Sequence, residues 1–316
     1  MHMVGQKSNL KFIAECFLLI LLGVSTCFAS WPKGHIINVW PDGKMPDNTF
    51  DKNEVVEIRK SGSRFFKGVP TPTLEVFLSK TADKNAGFVL VCPGGGYSIV
   101  SYDHEGTHVA ERLAKSGVSA AVLKYRVPKF RTEALQDAQR AIRIIRANAG
   151  EWKFNPDKIV VIGFSAGANL SARVSTLYRE NSYKKIDAID AFSPKPNFTG
   201  LLYPAYCDES SFQRFWGTKA KVKSVDFNTD YALSSELKVD AQTPPTFIMQ
   251  AQNDKMWINS SIAYFLALKQ FNVPVNLHIF DKGGHGFGMV RPNELIQQWF
   301  ELFSAWLKKN EVIVSK

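Results

Sequence analysis

Cysteine is scarce in this chain: four in 316 residues, with Cys16 and Cys27 inside the first 29. That excludes a scaffold built on disulfides. Cys92 ends an apolar run where a thiol behaves as a small hydrophobe, so no bridge to Cys207 is expected. Internal repeats and low-complexity linkers are absent, which excludes solenoids and arrays. Lys and Arg outnumber Asp and Glu to give a net charge of +10, yet the basic residues form no stripe and carry no interleaved aromatics. They read as a solvated surface, and nucleic acid is not expected as a partner. Histidine is sparse too, with six residues, so the place of each one is informative.

What is present begins with an N-terminal address. Lys7 and Lys11 precede the apolar stretch Phe12 to Val24, and small residues follow up to Ala29. This is the pattern of a cleavable signal peptide over residues 1–29, with Cys27 at −3 and Ala29 at −1 of the cut. The stretch is short for spanning a bilayer. A lipid anchor on Cys27 is the rival reading, and Thr26 fits it badly. The expectation is a secreted or periplasmic protein that meets the membrane only through this segment, with a net charge of +9 once Lys7, Lys11 and Glu15 are gone.

The remainder, 30–316, reads as a single α/β domain with 45% hydrophobic residues in the whole chain to fill its core. His35 to Trp40, Asn53 to Lys60 and Thr73 to Leu78 are β-rich and predict an antiparallel N-terminal part. From Gly87 onward apolar strands alternate with helical periodicities. Phe88–Cys92, Val118–Tyr125, Ile159–Ile162, Phe198–Tyr203, Phe247–Ala251 and Val275–Phe280 are the strands. The helices include one over Leu135 to Ala149 closed by Gly150, one over Ile262 to Phe271, and a last one carrying Leu295, Trp299, Leu302 and Trp306. Such alternation predicts a mostly parallel sheet with helices on both faces. Asp137 and Arg140, three apart on a helix, read as a structural pair. Cys207 to Gln242 is polar, lacks periodicity, and reads as a loop or small lid over a ligand site.

Ile159–Ile162 runs into Gly163-Phe164-Ser165-Ala166-Gly167, and a helical pattern follows with Ala166, Leu170, Val174 and Leu177 on one face. Strand, G-x-S-x-G, helix is the context of a nucleophile elbow. The sharp turn pushes the Ser165 hydroxyl out of the sheet, and a side chain at Gly163 or Gly167 would strike backbone. The base is expected at His285, in the glycine-rich loop Asp281 to Gly288 just past the last strand. The acid is expected at Asp254, past the end of Phe247–Ala251, with Asp281 as its rival. An oxyanion hole would combine the N–H of Ala166 with amides of Cys92-Pro93-Gly94-Gly95-Gly96-Tyr97 after the first core strand; this loop resembles the HGGG loop of esterases with Pro93 in place of the histidine, which implies Gly95 and Gly96 as the donors. Tyr97, Trp257, Trp216 and Phe212 are candidates for a platform that stacks on sugar or aromatic groups.

Together these pieces resemble the α/β-hydrolase superfamily over about 88–307. The finer wording is similar to its acetyl-xylan-esterase and feruloyl-esterase-like family: PGGGY, Glu105-Gly106, LKYRVP at Leu123 to Pro128, DAQRAIRIIRANA at Asp137 to Ala149, GFSAG, TPPTF at Thr243 to Phe247, and KGGHGFG at Lys282 to Gly288. Asn197, Asn253 and Trp257 depart from that family's usual pattern. The resemblance implies hydrolysis of short-chain or aromatic acyl esters on plant polysaccharides such as acetylated xylan, through an acyl-enzyme and with no metal or organic cofactor. A small serine exopeptidase of the prolyl-oligopeptidase type shares the elbow and the residue order, and an inactive binding protein on the same fold is the third reading. The acyl group, the alcohol and the oligomeric state are not fixed by the sequence.

Overall fold

The structure, a computed structural model, describes residues 34–47, 53–217, 231–289 and 294–314. The expected signal segment, with Cys27, lies outside the described residues, as do 218–230 of the polar stretch. In chain order the strands are β1 (His35–Asn38), β2 (Val55–Ile58), β3 (Arg64–Lys67), β4 (Thr73–Phe77), β5 (Phe88–Cys92), β6 (Ile99–Val100), β7 (Ser119–Lys124), β8 (Ile159–Phe164), β9 (Phe198–Leu202), β10 (Thr246–Ala251) and β11 (Val275–Phe280). Eight of them form one sheet in the order β1-β4-β7-β5-β8-β9-β10-β11. Pairings from β7 to β11 are parallel, and β1, β4 and β7 pair antiparallel. Every residue of β5, β8 and β10 is buried, so both faces of the sheet are covered, as near-continuous apolar strands require.

The longer helices are α1 (His108–Lys115), α2 (Arg131–Ala147), α3 (Ala166–Thr176), α4 (Glu209–Trp216), α5 (Ile258–Gln270) and α6 (Trp299–Lys309). Ala168 and Ala172 of α3 share a buried cluster with Tyr264 and Leu268 of α5 and with Leu201 and Ile248 of the sheet. Phe303 and Trp306 of α6 pack on Phe247 of β10, with ring centroids 5.3 and 5.9 Å away. Burying side chains of this size is worth about 1.5–3 kcal/mol each.

Several local readings are corrected. The N-terminal strands do not all join one sheet: β2 pairs with β3, and β3 with the two-residue β6, in a separate three-stranded sheet. Asp137 and Arg140 do not pair with each other. Asp137 takes the Arg126 guanidinium at 2.8 Å and the Trp40 indole N–H at 2.7 Å. Arg140 reaches Asp187 at 2.6 Å and Asp190 at 2.8 Å. Gly150 does not close α2, which stops at Ala147, and Gly150 sits in a further helical turn, Ala149–Trp152. The last helix opens with the tighter turn Leu295–Gln298 before α6. Within Cys207 to Gln242, α4 is a real helix, and Asp208 caps it by accepting the Ser211 N–H. Cys92 and Cys207 are both free and buried, and burial pushes the Cys92 thiol up to about 12.

Candidate active site

The strand ends bring the predicted residues together. Ser165 follows β8 and caps α3 with φ 53° and ψ −118°, a conformation that non-glycine residues rarely adopt. Neighbouring backbone holds it there. Its N–H donates to the Leu202 carbonyl at 3.0 Å, and its own carbonyl accepts from Ala168, Asn169 and Ala205. The elbow glycines are sterically required. A Cβ on Gly163 would fall 2.1 Å from the Gly167 oxygen, and one on Gly167 would fall 2.1 Å from the Cys92 oxygen.

His285 Nε2 lies 2.7 Å from Ser165 Oγ, and its Nδ1 lies 2.7 Å from Asp254 Oδ2. The serine is partly exposed, the imidazole is about one-third exposed at 33%, and the acid is buried. Asp281, the rival acid, is exposed. An uninterrupted hydrogen-bonded chain from acid to imidazole to hydroxyl can withdraw a proton from Ser165 as its oxygen attacks. Two residues that sequence reasoning did not assign support it. Gln250 donates to Asp254 Oδ2 at 3.2 Å and is itself oriented by the Ser261 hydroxyl at 2.8 Å. Asn253 Oδ1 accepts the Gly284 N–H at 2.8 Å and so holds the histidine loop. The signal for Asn253 was its departure from the usual residue; Gln250 gave none beyond its place in the strand.

The glycine loop packs directly on the elbow. A Cβ on Gly94 would stand 3.0 Å from that of Ser165. Gly95 and Gly96 take φ values of +132° and +64°, open to glycine at little cost. Among the described residues the N–H groups of Gly95, Gly96 and Ala166 carry no hydrogen bond, so three donors remain for a ligand. The Ala166 N–H is one of the open donors at the start of α3.

The aromatic platform differs from expectation. Tyr97 presents no face: it is fully buried, its hydroxyl donates to Asn169 at 2.8 Å, and burial pushes it up to about 12. Its position just after the glycines, with φ 54°, turns the ring into the core. Trp216 is half-buried, edge-on to Tyr97 and Tyr206, with the Arg131 guanidinium 4.8 Å from its ring. Phe212 also lies under that guanidinium, at 5.4 Å. Trp257 lies beside His285, with ring centroids 6.0 Å apart, but is itself buried. It packs on Phe215, which is 42% exposed, and on Tyr206. Tyr206 was missed. Its hydroxyl lies 3.8 Å from where a Cβ on Gly96 would stand, and burial raises it above the ordinary phenol range. Asn197 serves the fold, accepting from the Ile159 N–H and from Arg146.

Comparison with known proteins gives the family. The chain is 30% identical over 228 residues to an acetylxylan esterase of Xylanibacter ruminicola, which covers 68% of this chain and 44% of that protein. It is 28% identical over 247 residues to endo-1,4-beta-xylanase B of Butyrivibrio fibrisolvens, covering 74% and 36%. It therefore spans less than half the length of these two curated relatives. Among solved structures, the acetyl ester-xyloside bifunctional hydrolase of Caldicellulosiruptor lactoaceticus superposes with a TM-score of 0.71 at 29% identity, over 90% of this chain and 98% of that one. The family model described as alpha/beta hydrolase fold matches residues 89–289, from the first core strand to just past the histidine loop, and the chain belongs to that family.

Proposed function

We propose that this protein is an exported serine esterase that removes short or aromatic acyl groups from plant polysaccharides, acetylated xylan foremost. The observation that carries the reading is the Asp254–His285–Ser165 chain, closed by two contacts of 2.7 Å beside unpartnered N–H groups. In this reading Ser165 Oγ attacks the ester carbonyl while His285 Nε2 takes its proton. Asp254 holds the imidazole with Nδ1–H toward itself and stabilises the imidazolium. The amides of Ala166, Gly95 and Gly96 receive the oxyanion. The alcohol leaves with the proton from His285, water activated by the same ring attacks the acyl-enzyme, and the acid departs. These residues complete the cycle without a metal or an organic cofactor. The substrate class is supported by the similarity to an acetylxylan esterase and to an acetyl ester-xyloside hydrolase. Export is supported by the pattern of residues 1–29 alone.

Phe215, the exposed ring packed on buried Trp257 and Tyr206, would receive the acyl or sugar group. This short aromatic wall fits small acyl groups better than long lipid chains. A panel of aryl esters with acyl chains from C2 to C8, methyl ferulate and acetylated xylan, each with wild type and Ser165→Ala, tests the reading. Catalytic efficiency should peak at C2 to C4, and the alanine variant should lose several orders of magnitude while staying folded. An optimum at C8 or beyond, or a variant within about tenfold of wild type, overturns it. Mass spectrometry of the mature protein should find an N-terminus near Ser30.

A further inference from the structure

Glu105 stands outside the acid–imidazole–hydroxyl chain, between the glycine loop and α1, yet it is buried to 3% exposure. Both of its carboxyl oxygens accept hydrogen bonds. Oε2 takes the Gly94 N–H at 3.0 Å and Oε1 takes the Tyr203 hydroxyl at 2.7 Å. The Tyr203 oxygen accepts the Gly288 N–H at 3.0 Å, and His104 Nε2 stands 3.7 Å from Oε1. Each endpoint belongs to a different part of the site. Gly94 opens the loop that holds Gly95 and Gly96. Gly288 closes the loop that holds His285. Tyr203 follows Leu202, whose carbonyl takes the Ser165 N–H. The Tyr203 ring also lies edge-on to His285, with centroids 5.1 Å apart, and to Phe287, 4.3 Å apart.

A buried carboxyl is costly unless its oxygens are satisfied, so packing alone would be better served by an apolar side chain. What the carboxyl adds is direction. The geometry points to Glu105 as a positioning residue for ester hydrolysis: directly at Gly94, and through Tyr203 at Gly288, it holds the oxyanion-binding amides and the His285 ring in one register. The inference rests on the serine-esterase reading of the site. It follows that losing the bridge weakens binding of the transition state and spares binding of the ester, so kcat falls while KM stays.

Two small changes break the bridge at the same link. Glu105→Gln can still accept the Gly94 N–H, but its amide then meets the Tyr203 oxygen with N–H groups, and the Tyr203 hydroxyl loses that acceptor. Tyr203→Phe removes one oxygen and takes the acceptor from Gly288. The full chain is assayed with 4-nitrophenyl acetate for kcat and KM, with an aryl trifluoromethyl ketone as an oxyanion-forming inhibitor, with a fluorophosphonate that labels the nucleophile, and by thermal melting. Each variant should lose roughly ten- to a hundredfold in kcat, with weaker ketone binding by the same factor. KM should stay within about threefold, and the double variant should be no worse than the poorer single one. A kcat within about threefold of wild type, a rise in KM in place of the fall in kcat, or losses that add in the double variant would overturn the inference. So would a lowered melting temperature as the only effect. If Glu105→Gln does not fold, Tyr203→Phe decides alone. Should wild type escape the fluorophosphonate, or Ser165→Ala keep its activity, the serine-esterase reading fails and takes this inference with it. Should wild type be labelled and Ser165→Ala be inactive while both bridge variants match wild type, only the role of Glu105 fails.

Discussion

Asp254→Asn removes a charge from the site and leaves its shape, and the surrounding hydrogen bonds say how much activity should survive. Asp254 Oδ2 accepts from His285 Nδ1 at 2.7 Å and from Gln250 Nε2 at 3.2 Å. Gln250 cannot turn its amide around, because its oxygen takes the Ser261 hydroxyl and its nitrogen also donates to the Ala251 carbonyl. An asparagine at 254 must therefore put its amide oxygen where Oδ2 was, since its N–H groups would otherwise face two donors. The imidazole keeps its proton on Nδ1, and Nε2 can still accept from Ser165. What is lost is the attraction between the acid and the imidazolium. At an effective dielectric near 20 and about 4 Å this is worth about 4 kcal/mol, or ~10³ in rate. Solvent at the partly exposed ring reduces it, so kcat should fall roughly 10²- to 10³-fold. Adding Gln250→Leu frees the asparagine to rotate and trap the wrong tautomer, and the loss should deepen to roughly 10⁴. Gln250→Leu alone should cost less than about tenfold. Steady-state hydrolysis of an aryl acetate by all three variants measures this. Equal losses in the single and double asparagine variants would refute the role given to Gln250, and an Asp254→Asn enzyme within about tenfold of wild type would refute the role given to the acid.

Gly163→Ala places a Cβ where the Gly167 oxygen is 2.1 Å away; soluble yield should collapse or the melting temperature fall steeply, and normal melting would contradict the elbow packing. Arg140→Met takes the 2.8 Å guanidinium from buried Asp190, which keeps the Tyr183 hydroxyl at 2.6 Å and the Ile186 N–H at 2.8 Å; unfolding in urea should show a loss of about 1–3 kcal/mol, with kcat at low temperature close to wild type. The acid limb of stability follows from carboxyls held below their ordinary range. Burial raises Asp103, but hydrogen bonds from the Arg64 side chain and backbone and from Thr107 outweigh it and lower it; the Arg140 hydrogen bond chiefly lowers Asp187. Their contribution is complete above the unfolded carboxylate range, about pH 4, and is lost as pH falls through the lower folded values, so urea midpoints should drop below about pH 4 and drop less in Asp103→Asn.

Features with a long local signature were legible in the sequence. Ser165, His285 and Asp254 lie where strands end, and strands as apolar as Val89 to Cys92 or Ile159 to Ile162 declare their ends plainly. The elbow glycines were legible for the same reason, because the turn admits no substitute. Hidden features depended on contacts far apart in sequence. β6 has two residues and no periodicity, and it exists only because β3 offers it an edge. Asp137 and Arg140 looked like partners by helical spacing, but each found a better-placed charge across the fold, in Arg126 and in Asp187 and Asp190. Tyr97 reads as a platform residue because aromatic faces stack on sugars. The glycines before it swing the backbone into a positive φ that sends the ring inward, which composition cannot reveal. Tyr206 and Gln250 carry no motif; they count only because β9 and β10 end beside the serine.

The five residues from Leu202 to Tyr206 bear on how such a site can change. Leu202 and Ala205 hold the serine backbone from both sides, Tyr203 ties to the histidine loop, and Tyr206 faces Gly96. Adding or removing one residue here would unseat Ser165, the His285 loop and the Gly96 contact together. This stretch therefore has a fixed length. On the proposed esterase reading, adaptation to new acyl groups is channelled past Cys207, into α4 and around Trp257, where Phe215 is exposed. A library aimed at selectivity should vary Phe212, Phe215 and Trp257 and leave residues 202–206 untouched.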